Sequence, residues 1–395
     1  MKEAYILSIA RTPVGNLAGS LGSLSAVELG KISIQAALER AGISGDQVDE
    51  VFMGNVLQAN VGQAPAKQAA LAAGIPETVP CTTVNKVCSS GMKSIMFGVQ
   101  SILLGDNDIV VAGGMESMTQ TPHYLPTGRK GIKYGDGQIV DGIKRDGLQD
   151  PYDQSLMGNC AEVCARDKNI SREAQDEYAY HSYMRARDAY EKGLFANEIV
   201  PVSIPQRKGD PVVVDKDDEV FNKRVSGLDG FARLRPAFEK EGTVTAANAS
   251  TINDGGAAVV LISGDKAEEL GLKPIAKVLS YADASQEPVW FTTAPSLAMP
   301  KAMKKAGLNT EDFDAFEINE AFSVVALANM QELGLDHAKV NQFGGGVSIG
   351  HPIGVSGTRI IVTLISVLQA TQGKRGLAGI CNGGGGASAM AIELV

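Results

Sequence analysis

Four residues that can do covalent chemistry lie in stretches rich in glycine and small side chains. They are Cys88 in NKVCSSGMK, Asn319 in EINEAF, His351 in GGGVSIGHPIGVSG and Cys381 in CNGGGGASAM. A thiolate attacks carbonyl carbon, an imidazole takes the thiol proton, a second thiol serves as a further acid or base, and exposed backbone amides stabilise an oxyanion. Each stretch alone is a weak signal, since a glycine-rich run can be a mere turn and a free cysteine at the start of a core helix usually packs. Together they provide a nucleophile, its base, a second acid/base and oxyanion donors, with Cys88 as the nucleophile. Downstream, Met92, Ile95, Met96, Val99, Ile102 and Leu103 recur at steps of three and four, so the spacing predicts a helix over Ser89 to Leu104 with one apolar face. Cys88 at its N-terminus is therefore expected to have a lowered thiol pKa.

The elements that must position these residues read as an α/β protein. A buried strand at Tyr5 to Ala10 is followed by a helix over Ala26 to Ala41 that Gly42 ends, and by a strand at Val51 to Val56. A helix around residues 63–73, a strand at 81–85, the Cys88 helix ending at Gly105 and a strand beginning Ile109 to Ala112 come next. This alternation implies right-handed βαβ units and a mostly parallel sheet with helices on both faces. From Ser117 to about Gly242 turn residues and mixed charges dominate around a long polar helix, Ser171 to Lys192, as in an inserted subdomain. Its acidic run DKDDE, Asp215 to Glu219, reads as a solvated loop. The last third repeats the first, for Ser356-Gly357 opens a helix reaching Gly373 just as Ser90-Gly91 opens one reaching Gly105. Two similar halves with loops meeting in one pocket are expected. The units are 1–118 (completed by about 250–270), the insertion 119–249, and 271–395.

The chain has 395 residues, a net charge of −9 and five cysteines at irregular spacing. The acidic balance disfavours nucleic acid or an anionic membrane as partner. The odd cysteine count, with no signal pattern at the N-terminus, points to free thiols and a cytoplasmic location, and no apolar run reads as a membrane span. Cys160 and Cys164 lie a helical turn apart but lack neighbouring ligands for a metal, and His123, His181 and His337 read as surface or packing residues.

The motifs ARTPVG, NKVCSSGMK, VAGGMESM, GTVTAANASTINDG, NEAF, GHPIGVSG and CNGGGGASAM follow one another as in the thiolase family, which the chain resembles over nearly its whole length. The resemblance is closest to short-chain members, which join two acetyl-CoA molecules into acetoacetyl-CoA or run the reverse thiolysis. It implies two mixed sheets in a layered αβαβα core, with the insertion as a loop domain that binds coenzyme A. It implies Cys88 as the acylated nucleophile, His351 as its base and Cys381 as the second acid/base. One oxyanion hole would come from His351 and a water on Asn319, the other from the N–H groups of Cys88 and Gly383. Ser250 would contact the pantetheine arm and Arg224 the nucleotide end, with Met157, Ala321 and Phe322 lining the substrate pocket. Many relatives have His-Met-Gly where this chain has Leu156-Met157-Gly158, which removes one polar contact to CoA. Tyr183, Ala246, Ala247, Ala249 and Val347 match a potassium site of the family; ordinary loop backbone with no ion is the alternative. No cofactor is otherwise required, and a homodimer or homotetramer is implied. The alternatives are a degradative 3-ketoacyl-CoA thiolase with a deeper pocket and a silent acyl-CoA-binding protein on the same fold.

Overall fold

The computed structural model describes residues 2–222 and 227–395. The first half runs β1 (Ala4–Arg11), α1 (Ala26–Ala41), β2 (Glu50–Gly54), α2 (Pro65–Ala72), β3 (Cys81–Val84), α3 (Ser90–Leu104) and β4 (Ile109–Ser117). After α4 (Met157–Asp167) and α5 (Arg172–Glu191) the chain returns as β5 (Asn253–Ser263). The second half runs β6 (Ala276–Ser285), α6 (Pro295–Ala306), β7 (Ala315–Ile318), α7 (Ser323–Leu333), α8 (Ser356–Thr371), β8 (Arg375–Asn382) and β9 (Gly386–Leu394).

The helix ends follow from local chemistry. Ser25 and Glu28 form a reciprocal N-terminal cap on α1, and Gly42 closes the helix in the left-handed region at φ 68. Gly105 does the same for α3 at φ 87. The residue closing α8 is Gln372, at φ 57, one position before the glycine that the sequence suggested.

Strand order proves the repeat. The first half is ordered β1-β5-β4-β2-β3 and the second β6-β9-β8-β7, so corresponding strands occupy corresponding places. A lone parallel bridge from Phe316 to Val340 stands where the second half would have its β3. Among the strands named here, the β4-β2-β3 and β8-β7 pairings are parallel. Each half is thus mixed, not mostly parallel, because its first and last strands run against their neighbours. The halves join edge to edge through Tyr5–Lys277 and Ile6–Ala276.

Five layers result. Helices α1 and α2 cover the outer face of the first half-sheet, α6 covers that of the second, and α3 and α8 lie between the two. Met92, Ile95, Met96, Val99 and Ile102 of α3 are each at most 1% exposed, and burying such side chains fully is worth about 1.5–3 kcal/mol apiece. Leu103, read as part of that face, is instead 41% exposed. The stretch Val87–Leu104 does have the length and apolarity of a membrane span, with a mean hydropathy of 1.3, yet here it is a core layer.

The two central helices touch at their first turns. A Cβ on Gly91 would lie 2.8 Å from the Thr358 nitrogen, and one on Gly357 would lie 2.4 Å from the Met92 nitrogen. Only glycine at these equivalent positions permits the crossing, and the crossing brings the Cys88 and His351 loops together.

Candidate active site

Cys88 sits on a tight turn between β3 and α3. Val87, just before it, has φ 47, a conformation that costs a β-branched residue on the order of 1–3 kcal/mol. Three bonds hold it there. Val87 N–H donates to Asn85 Oδ1 (3.0 Å), the Ser90 hydroxyl donates to the Val87 carbonyl (2.6 Å), and Lys86 N–H donates to Ser90 Oγ (2.8 Å). On either side of the turn, Lys86 reaches Asp283 and Ser388, and the Ser89 hydroxyl donates to Asn382 Oδ1 at 3.0 Å, tying the nucleophile loop to the second half.

The expected low thiol pKa is not found. Burial pushes the Cys88 thiol up to about 11, against the pull of the Gly383 and Cys88 N–H groups, and the charge of Glu116 adds to the rise. The helix proper begins only at Ser90, and its end field fades within a turn, so desolvation wins. Cys88 therefore carries its proton at rest, and attack by its sulfur would require a base.

His351 has the protonation state such a base would need. Its Nδ1 lies 2.6 Å from Ser356 Oγ, and the Ser356 hydroxyl donates to the Pro352 carbonyl at 3.1 Å. Ser356 oxygen must then accept from Nδ1–H, which leaves Nε2 bare. Nε2 is buried and has no protein partner. Burial, assisted by the Arg359 charge, lowers the imidazole pKa to about 3, so the ring is neutral and able to accept. The backbone N–H of His351 is pinned by Asn253 Oδ1 at 2.8 Å.

Asn319 lies one residue past β7, with its N–H on the Gly379 carbonyl at 3.0 Å. Both polar atoms of its side chain are buried without a protein partner. Such an amide costs about 1–3 kcal/mol unless a water or ligand satisfies it. Its neighbour Glu320 anchors the turn, accepting from Tyr178 (2.9 Å), Ser182 (2.8 Å), Asn341 (3.0 Å) and the Val347 N–H (3.0 Å). Glu320, Ser356, Asn253 and Val87 escaped sequence reasoning, although all four lie inside the quoted motifs.

Cys381 is fully buried at the end of β8, and burial raises its pKa well above the ordinary thiol value, with Cys88 nearby adding to the rise. Two residues on, the Gly383 N–H lies near enough to the Cys88 thiol to pull its pKa down. A Cβ at Gly383 would meet only Met157 Sδ at 3.5 Å and Val87 Cγ1 at 3.6 Å, so packing alone does not demand glycine there. Met157, Ala321, Phe322, Ala249 and Cys381 share one apolar cluster. Phe238, also unforeseen, closes it with its ring edge-on to Phe322 at 6.1 Å and its face filling the space above Gly158. Ser250 stands beside this wall, its hydroxyl donating to the Ala321 carbonyl at 2.8 Å. Leu156 precedes α4 as its N-terminal cap. Arg224 lies outside the described residues.

Of the cation set, Tyr183, Ala247 and Val347 pack together around Phe231, Ala249 belongs to the acyl-side cluster, and Ala246 is exposed. The Tyr183 hydroxyl donates to Glu219 at 2.9 Å. The acidic run is not the solvated loop expected. Asp217 is 1% exposed and bonds Arg11 at 2.7 Å, while Asp218 accepts the Asn16 N–H at 2.9 Å. These carboxylates fasten the insertion to the loop after β1. Cys160 and Cys164 are free and buried, and the described residues contain no group of three or more His, Cys, Asp or Glu arranged to hold a metal ion.

Comparison with known proteins places this geometry. Residues 4–265 match the family model for the thiolase N-terminal domain, and residues 272–394 that for the thiolase C-terminal domain. The chain is 58% identical over 394 residues to the cytosolic acetyl-CoA acetyltransferase of Gibberella zeae, covering 100% of this chain and 98% of that protein. It is 56% identical over 396 residues to acetyl-CoA acetyltransferase 1 of Arabidopsis thaliana, covering 100% and 95%. The crystal structure of an Ascaris suum thiolase in complex with coenzyme A superimposes with a TM-score of 0.94 at 47% identity, covering 100% of both chains.

Proposed function

Since the chain belongs to the thiolase family, matched across both domains and by relatives more than half identical over their full length, we propose that it is an acetyl-CoA C-acetyltransferase joining two acetyl-CoA into acetoacetyl-CoA and CoA, and catalysing the reverse. The observation that supports the mechanism is His351, whose Nδ1 is held by Ser356 while its buried Nε2 has no protein partner, two residues before Ile353, which packs in one cluster with Cys88.

In the first half-reaction His351 Nε2 takes the Cys88 proton and the sulfur attacks the acetyl carbonyl. The tetrahedral oxyanion is held by the N–H groups of Cys88 and Gly383, and removing one such donor typically costs about 10²–10³ in rate. The CoA sulfur leaves with a proton from Cys381. In the second half-reaction the Cys381 thiolate, made strongly basic by its burial, removes a proton from the methyl group of a second acetyl-CoA. The enolate oxygen is stabilised by His351 and by a water on Asn319, whose unpartnered amide supports this role. The enolate carbon attacks acetyl-Cys88, and the departing Cys88 sulfur recovers its proton from His351. Ser250, Met157, Ala321 and Phe322 would hold the pantetheine and acyl end. The Phe238–Phe322 wall favours a short acyl group over the longer-chain alternative.

The two cysteines separate by substitution. Cys381→Ala should still acetylate Cys88, because the His351 imidazolium can protonate the leaving sulfur, while condensation falls about 10²–10⁴-fold with loss of the base. Cys88→Ala should do neither. Mass spectrometry of quenched protein after labelled acetyl-CoA decides; acetyl on Cys381 in the Cys88 variant would reject these roles.

A potassium ion could be held by the carbonyls of Ala246, Ala247, Ala249 and Val347 beside Tyr183, and the Glu219 carboxylate that accepts from the Tyr183 hydroxyl supports a cation there. It would brace the loop leading to Ser250. Exchanging potassium for sodium should lower the affinity for CoA; identical affinity in both salts rules the site out. The word cytosolic in the name of the Gibberella zeae relative supports a cytoplasmic enzyme, which fluorescent tagging checks. The family supports a homodimer or homotetramer, and light scattering at a monomer's mass would exclude both.

A further inference from the structure

The catalytic residues come from different halves, and something must set their separation. The His351 loop seats its Gly354 in a socket of the first half. A Cβ on Gly54, Gly114 or Gly91 would lie 2.7, 2.1 or 3.1 Å from the Gly354 carbonyl oxygen, so β2, β4 and the start of α3 all close on it. The next side chain back, Ile353, packs in one cluster with Cys88, Val56, Leu57 and Met118.

At the base of the socket is Glu116 on β4, fully buried. Its carboxylate accepts from Asn55 Nδ2 (2.8 Å), Val56 N–H (3.0 Å) and Leu57 N–H (3.1 Å) of the first half. It also accepts from the Gly354 N–H of the second half at 2.9 Å. A Cβ on Gly354 would lie 2.6 Å from Glu116 Oε2, so the approach is as close as glycine allows. We propose that Glu116 is a positioning residue for acyl transfer, its carboxylate gripping Gly354 from the first half and thereby fixing the His351 ring relative to the Cys88 turn. The grip needs acceptor oxygens on both sides, which only the ionised carboxylate supplies in full. Burial raises the Glu116 pKa to about 7, opposed by the N–H groups of Leu57, Val56 and Gly354, and Asp254 of β5 raises it further. The Cys88 thiol feels the Glu116 charge in turn, while His351, three residues before Gly354, is neutral.

This inference rests on Cys88 and His351 acting as nucleophile and base, and the test separates the two ideas. Acetylation of Cys88 is followed by rapid quench and mass spectrometry in the wild type, Glu116→Gln, His351→Ala and the double variant. Glu116→Gln should slow acetylation about 10–100-fold, the scale expected for a displacement near 1 Å, with the acetyl-CoA concentration at half-maximal rate unchanged. In the double variant the Glu116 change should add nothing, because its effect passes through His351. If the two losses multiply, or if Glu116→Gln acetylates at the wild-type rate, Glu116 does not position His351. If His351→Ala acetylates normally, the base assignment itself fails. Should Glu116→Gln not fold, Glu116→Asp, one methylene too short to span residues 55–57 and Gly354 together, runs through the same cycle with the same expected outcome.

Discussion

The two halves repeat one succession of strands and helices, with a lone bridge in place of β3 in the second, but part company most at one connection. Between β4 and β5 the first half sends out residues 118–252, with α4 and α5. Between β8 and β9 the second half turns over Gly383 to Gly385, the last two at φ 83 and 81. The long connection supplies the apolar wall of Met157 and Phe238, and the short one brings the Gly383 amide to the Cys88 sulfur. Neither half could form the site alone. The scaffold is symmetric, and the chemistry resides where the symmetry is broken.

The serines at the start of the central helices extend the contrast. Ser90 clamps the strained Val87 turn next to Cys88, whereas its counterpart Ser356 sets the proton on the His351 ring. The largest expected effect comes from Ser356→Ala. Losing the acceptor for Nδ1–H frees the ring to flip or change tautomer and should lower turnover about 100-fold, with little change in melting temperature. Ser90→Ala should do the reverse in kind, lowering stability by about 1–3 kcal/mol through the released turn, while the surviving folded enzyme keeps most of its rate. Paired melting curves and turnover numbers test this division. Equal losses of both kinds in both variants would mean that the two serines do one job.

A smaller effect probes the clasp between halves. Burial works against ionised Asp283, but bonds from Lys86, Lys93 and Ser388 prevail and hold its pKa down at about 2. Its folded pKa lies below the unfolded one, so its contribution is complete above about pH 4 and fades as the pH falls toward 2. Lys86→Met should narrow that acid-sensitive window. At neutral pH it should cost under about 1 kcal/mol, since Asp283 is partly solvated and screened. Acid titrations of the two proteins that superimpose would show that Lys86 does not hold the halves together.

Much of this architecture is legible from residue order because its causes are local. Gly42 and Gly105 end helices through their own backbone freedom, and Ser171 caps α5 by accepting the Ala174 N–H at 3.2 Å. The proposed catalytic residues are legible for a related reason, since small neighbours would expose backbone around a reacting centre. What sequence reasoning misjudged depends on partners far along the chain. Asp217 and Glu219 look like solvated charges until Arg11 and Tyr183 come to meet them. Cys88 looks like a low-pKa thiol until the burial and the Glu116 charge that the fold imposes are counted. The repeated Ser-Gly pair at 90–91 and 356–357 was visible, but the contact between its two copies exists only in three dimensions.

The position of β5 between β1 and β4 also governs how the polypeptide is made. Emerging from a ribosome, β1 has no neighbour in its own half-sheet until Asn253–Ser263 appears, long after β4 is complete. At about 5–20 residues per second, the nascent chain carries two unpaired strand edges for on the order of ten seconds. During that interval α4 and α5 can form while the barrier-like gap in the sheet stays open to stray pairing. Synthesis of this protein thus has a vulnerable period written into its strand order, one that slower translation would lengthen and that a bound chaperone would shield.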